Sequence, residues 1–160
     1  MHRIKNLIIS LFALQPRVTT PASTDAEKSA HKIIDQFYHF TEVEDYESMF
    51  ALFSEQAKVT FKLRFGALYP SAEFSLTPME AFLSNWQEEA FGSMSYLPVS
   101  VKTGARKVRV DEEKVEVTIA VNEKYITEGK ELMASGIDSF LLRKQEGEWE
   151  IADHVSKRTY

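Results

Sequence analysis

The chain contains no cysteine. That excludes disulfides, thiolate nucleophiles and cysteine-held metals, and it leaves the redox compartment open. Positive charge is not in excess either. Lys and Arg number 19 against 24 Asp and Glu, for a formal net charge of −5. A general nucleic-acid binder must neutralise phosphates with many cations, so this balance argues against that class. The N-terminal apolar run, Leu7 to Leu14, falls well short of the ~20 residues a membrane-crossing helix needs. No internal repeat is present, and no low-complexity linker lies beyond the N-terminal tail. What remains is 160 residues, 44% hydrophobic and 27% charged, which is ordinary material for one domain with a real core.

The first residues have signal-peptide order. His2, Arg3 and Lys5 precede the apolar run, and Thr20-Pro21-Ala22 offers small residues at the −3 and −1 positions before Ser23. Residues 1–22 therefore read as a signal peptide or a disordered tail, and 23–160 as a single domain. Export to a periplasmic or extracellular location is favoured over the cytoplasm. No cysteine follows to take a lipid.

Thr24-Asp25-Ala26-Glu27 has the form of a capping box, and Ala30, Ile33, Ile34 and Phe37 follow at helical spacing. This predicts a helix from Asp25 to Glu42. A shorter helix follows Asp45, with Tyr46, Met49, Phe50 and Phe53 on its apolar side. Val59 and Phe61 alternate with Lys58, Thr60 and Lys62, which predicts a strand over Ala57 to Leu63. Arg64 to Leu76, with Gly66, Pro70 and the aromatics Phe65, Tyr69 and Phe74, reads as an irregular loop able to cover a pocket. Thr77-Pro78-Met79-Glu80 is a second capping box, and its helix carries Phe82 and Trp86 and ends near Gly92.

Strands dominate from Tyr96 onward. Val108 and Val110, then Val115, Val117, Ile119 and Val121, alternate with polar neighbours. Turns at 111–114 and 128–129 set Val110 opposite Val115, Arg109 opposite Glu116, Val117 opposite Phe140 and Ile119 opposite Asp138. The last hairpin spans Gly136 to Ser156. A three-residue loop at 145–147 places Lys144 opposite Glu148, and hence Asp138 opposite His154. Asp138, Phe140, Leu142, Ala152, His154 and Ser156 then share one face; Leu141, Arg143, Trp149, Ile151 and Val155 share the other.

Helices followed by a curved antiparallel sheet make an α+β domain, in which the helices pack on the apolar face and close a cone with an internal pocket. Asp138 and His154 are the sharpest candidates for chemistry. A carboxylate beside an imidazole in an apolar setting can act as an acid–base pair. The plainer alternative is a structural pair that satisfies two polar groups. His31 and His39 lie eight residues apart with no acidic partner at ligand spacing, so no metal site is expected there and no cofactor is implied. Tyr38 is expected at the pocket mouth or in solvent. The second sheet face, with Leu141, Trp149, Ile151 and Val155, is too apolar for free exposure. It is expected to pair two copies into a homodimer.

This order of elements resembles the nuclear transport factor 2-like superfamily, the cystatin-like cone shared with SnoaL-like cyclases and ketosteroid isomerases. Its carriers are Tyr46-Glu47-Ser48-Met49-Phe50-Ala51-Leu52-Phe53-Ser54 and the closing Gly147-Glu148-Trp149-Glu150-Ile151-Ala152-Asp153-His154-Val155-Ser156. These patterns specify a fold rather than an activity. The resemblance places the isomerases' catalytic tyrosine at Phe37, their catalytic aspartate at Phe61 and their third acidic group at Asp138. Neither phenylalanine can transfer a proton, so ketosteroid isomerase chemistry is not implied. The resemblance instead implies an apolar, aromatic pocket lined by Phe37, Phe61, Tyr69, Trp86, Val117, Ile119 and Phe140. A small hydrophobic molecule is its expected occupant. The alternative is an isomerase, cyclase or dehydratase using Asp138 and His154 on a hydrophobic carbonyl compound.

Overall fold

The computed structural model describes residues 24–66, 71–83, 100–127 and 129–160. Residues 1–22, expected to be a signal peptide or tail, lie outside the described residues, as do Tyr69, Trp86 and the expected helix end near Gly92.

Helix α1 runs over Asp25–Glu42. Its capping box forms as the sequence predicts: the Glu27 N–H donates to Thr24 Oγ1 at 3.2 Å and the Thr24 N–H to Glu27 Oε2 at 3.0 Å. Ala30, Ile34 and Phe37 are its buried stripe. Helix α2, Tyr46–Phe50, is capped by Asp45 and buries Met49. Strand β1, Phe53–Arg64, begins earlier than its alternation alone suggests. The segment read as an irregular loop contains a strand, β2, over Ala72–Leu76. It pairs with β1 and sets Phe74 opposite Phe61, with ring centroids 5.6 Å apart. That cross-strand partner, absent from the local pattern, is what holds β2. Helix α3 is described over Pro78–Leu83.

Strands β3 (Ser100–Asp111), β4 (Lys114–Thr127), β5 (Lys130–Gln145) and β6 (Glu148–Thr159) complete a curved sheet of order β2-β1-β6-β5-β4-β3. Val110 pairs with Val115, Arg109 with Glu116, Val117 with Phe140 and Ile119 with Asp138, as the turns imply. One junction departs from an all-antiparallel sheet: β1 and β6 run parallel, so the sheet is mixed. The core lies between the helices and the inner face. Val59, Val115, Val117, Ile119, Val121, Phe140, Leu142 and Ile151 form its floor against Ile34, Phe37 and Met49. Among the described residues no helix is long and apolar enough to cross a membrane.

The last hairpin corrects the expected register. Its turn has two residues, not three. Glu146 and Gly147 both take positive φ, 51° and 90°, as a tight hairpin turn requires, and Gln145 faces Glu148. This moves the pairing by one and puts Leu142 opposite Ile151. An irregularity between Leu141 and Leu142 then absorbs Ala152 as an extra residue on β6, and beyond it Phe140 faces His154 and Asp138 faces Ser156. The two shifts restore the parity, so Asp138, His154 and Ser156 still share the inner face. Ile151, expected on the outer face, is 0% exposed in the core. Trp149 also packs against that core.

Candidate functional site

The inner face of β4, β5 and β6 carries polar groups where the apolar floor ends. Buried there are Glu123, Asp138, His154, Ser156 and Arg158. Alternation along β6 brings His154, Ser156 and Arg158 to one side, and β5 delivers Asp138 between them. Gly136 lies directly opposite Arg158 on β5. A Cβ at Gly136 would overlap the Lys157 carbonyl oxygen and press on the Arg158 side chain, so only glycine lets these strands close.

Arg158 is the centre of a buried chain of hydrogen bonds. Its Nη1 donates to Asp138 Oδ1 and its Nη2 to Glu123 Oε1, each at 2.8 Å. Nη1 also donates to the Lys157 carbonyl at 2.9 Å. From α1, the Tyr38 hydroxyl donates to Asp138 Oδ2 at 2.7 Å. At the other end the Tyr125 hydroxyl donates to Glu123 Oε2. Tyr38 therefore reaches the sheet instead of standing at the mouth or in solvent. A hydroxyl does meet Asp138 from the first helix, one position after the Phe37 that the resemblance selected.

The electrostatics follow from this packing. Burial pushes the Asp138 carboxyl up, but His154 and Arg158 outweigh it and hold it below the ordinary carboxylate range. Arg158, hydrogen-bonded and charged, acts in that direction. Burial and then Asp138 raise the Tyr38 hydroxyl, and burial and then Glu123 raise that of Tyr125. Both phenols are thus fixed as donors. Burial lowers Arg158, but the hydrogen bond to Glu123 and the charge of Asp138 raise it further.

His154 differs from its neighbours. It is 4% exposed, and its ring stacks on Phe140 with centroids 4.3 Å apart and planes at 6°. Phe37 meets it edge-on at 5.3 Å. Its Nε2 lies 3.5 Å from Asp138 Oδ1, at the outer limit of hydrogen bonding. Among the described residues neither Nδ1 nor Nε2 has a formed hydrogen bond, and Arg158 Nε is also without one. Each such buried polar atom costs on the order of 1–3 kcal/mol when left unpaired.

The structure thus brings Asp138 and His154 together, diagonally rather than directly opposite. Phe37 and Phe140 pack against His154. Val117 and Ile119 are wholly buried floor, and Phe61 lies further along the inner face, half-buried beside Phe74. Tyr69 and Trp86 lie outside the described residues. Glu123, Tyr125 and Arg158 were not read from the sequence as site residues; extending the β4 and β6 alternation by two to four residues would have found them. Among the described residues no group of three or more His, Asp or Glu is placed to hold a metal ion.

Solved structures share this architecture. A ketosteroid isomerase-like protein from Erwinia carotovora atroseptica superposes with a TM-score of 0.58 at 15% identity, covering 85% of this chain and 98% of its own. An nuclear transport factor 2-like protein with a cystatin-like fold from Novosphingobium aromaticivorans gives 0.52 at 10% identity, over 81% and 79%. The chain has the nuclear transport factor 2-like fold. A protein assigned provisionally as a scytalone dehydratase, also from Novosphingobium aromaticivorans, shares that fold, with a TM-score of 0.54 at 16% identity over 83% of each chain. No protein-family model matches the chain, and no curated protein matches it. At these identities the nuclear transport factor 2-like fold is what the likeness establishes, and function must come from the site.

Proposed function

We propose that the chain is a small-molecule-binding domain whose ligand meets the inner face at His154. The observation that carries this reading is the histidine itself: an almost fully buried imidazole, stacked on Phe140, with both nitrogens lacking a formed hydrogen bond among the described residues. A fold selected for stability alone would fill that position with an apolar ring. The ligand supplies an aromatic or aliphatic body for Phe37 and Phe140, and a hydroxyl or carbonyl oxygen for the imidazole. The fold shared with ketosteroid isomerase-like and dehydratase-like proteins is consistent with a small-molecule occupant.

The Asp138–His154 contact of 3.5 Å supports a second reading, in which His154 moves a proton on a hydrophobic carbonyl substrate. Asp138 is a poor base in that scheme. Arg158 and Tyr38 already occupy its oxygens, and it orients the imidazole rather than accepting the proton. A thermal-shift screen of neutral aromatic ketones and phenols tests the binding reading. Hits should stabilise the wild type and fail to stabilise His154→Phe. Hits that stabilise both equally contradict it. Turnover of a hit, lost with His154→Ala, selects the catalytic reading.

We also propose a homodimer through the outer sheet face. Leu141 and Val155 remain there, half-buried. Trp149 and Ile151 take no part, because both belong to the core side.

A further inference from the structure

A groove of about 520 Å³ lies on the opposite side of the sheet from His154. Its described walls include Lys62 and Arg64 of β1, Ala72 and Glu73 of β2, Ile137 of β5 and Lys157 of β6. Leu63 and Arg158 point inward, at 3% and 7% exposure, so by alternation Lys62, Arg64 and Lys157 point outward. The parallel β1–β6 register sets Lys62 and Lys157 directly side by side. Like charges in that position repel and weaken the sheet unless something answers them.

Among the described residues only one of these cations has a carboxylate partner. Glu73 pairs with Lys62 at 2.9 Å. Among the described residues no carboxylate stands within ion-pair distance of Arg64 or Lys157. Arg158 also borders the groove, but its guanidinium is turned inward to Asp138 and Glu123. Among the described residues three cations against one carboxylate leave this groove positive, in a chain whose formal net charge is −5. Composition does not account for it; the strand register does. Beside the cations, Ile137 is 43% exposed, giving the groove an apolar wall. Its volume falls within the roughly 300–1,000 Å³ of small-ligand sites.

We propose that this groove binds a small organic phosphate. A phosphate monoester carries about −1.5 to −2 charges near neutral pH, which matches the surplus here. Arg64 takes phosphate oxygens in its planar fork, Lys157 and Lys62 act as point charges, and Ile137 receives the organic body. The site is separate from the inner face and does not depend on the function proposed for His154.

Calorimetric titration of the full chain with phenyl phosphate at about 20 mM salt, where surface charges are least screened, tests this. Phenyl phosphate should bind and phenol should not. Lys157→Gln and Arg64→Gln should each weaken binding about tenfold, or ~1.4 kcal/mol, without lowering the unfolding midpoint. His154→Phe should leave it unchanged. The proposal is overturned if phenyl phosphate gives no binding, if the substitutions leave affinity intact, or if phenol binds as well. Inorganic phosphate binding as tightly as phenyl phosphate would overturn the organic ligand. Loss of a dimer in Lys157→Gln by sedimentation would assign these cations to a contact between copies and end the proposal.

Discussion

One guanidinium, Arg158, serves two buried carboxylates, and Tyr38 and Tyr125 close the two ends. Removing a member leaves charges or donors stranded away from water. Asp138→Leu should therefore destabilise the chain by about 3–5 kcal/mol in chemical denaturation, the cost of breaking a buried pair from one side. Because Asp138 is held below its ordinary value near 3.9, its stabilisation is present above the unfolded pKa. It is lost as pH falls through the folded one. Stability measured against pH should drop below about pH 4, and Asp138→Asn should flatten that limb. An unchanged limb would mean Asp138 is not the group responsible. That Asp138 and His154 share one face was legible in the sequence, because face membership survives any even shift in register. Glu123 and Arg158 were not, since a charged residue in an alternating strand reads as solvated until a partner from a distant strand is known. Tyr38 was lost for a similar reason: only the tertiary placement of α1 shows which ring crosses to the sheet.

The β5–β6 hairpin shows how an element can be correctly recognised with its pairing misplaced. Turn length and one bulge are each worth a single residue, and neither has a strong local signature. The error mattered most at Ile151, which a one-residue shift carried from the outer face into the core. Glycine is readable only after the strands are placed. Gly136 allows β5 and β6 to approach where Arg158 crosses, and Gly136→Ala should cost about 3 kcal/mol by forcing the Lys157 backbone aside. A cost below ~0.5 kcal/mol in equilibrium unfolding would show that the strands adjust freely. The two helix caps, by contrast, were legible residue by residue, because Thr24/Glu27 and Thr77/Glu80 satisfy their own backbone donors within four residues.

For the molecule as a whole, the α+β order was legible in helical spacing followed by alternation. The parallel β1–β6 junction was not, because it joins the first and last strands and leaves no local mark. Two surfaces then carry the functional proposals. The outer face predicts association: sedimentation should show a dimer at micromolar concentration, and Leu141→Glu should return it to a monomer. A wild-type monomer would contradict that interface. The inner face carries the central claim, that His154, without a formed hydrogen bond among the described residues, is kept for a ligand's sake. The most direct test is the unfolding free energy of His154→Phe against wild type at pH 7. Phenylalanine keeps the stack on Phe140 and removes two unsatisfied nitrogens, so the account predicts equal stability or a gain of about 1 kcal/mol. A loss of about 3 kcal/mol or more would show that His154 is a structural partner of Asp138, and would contradict the account.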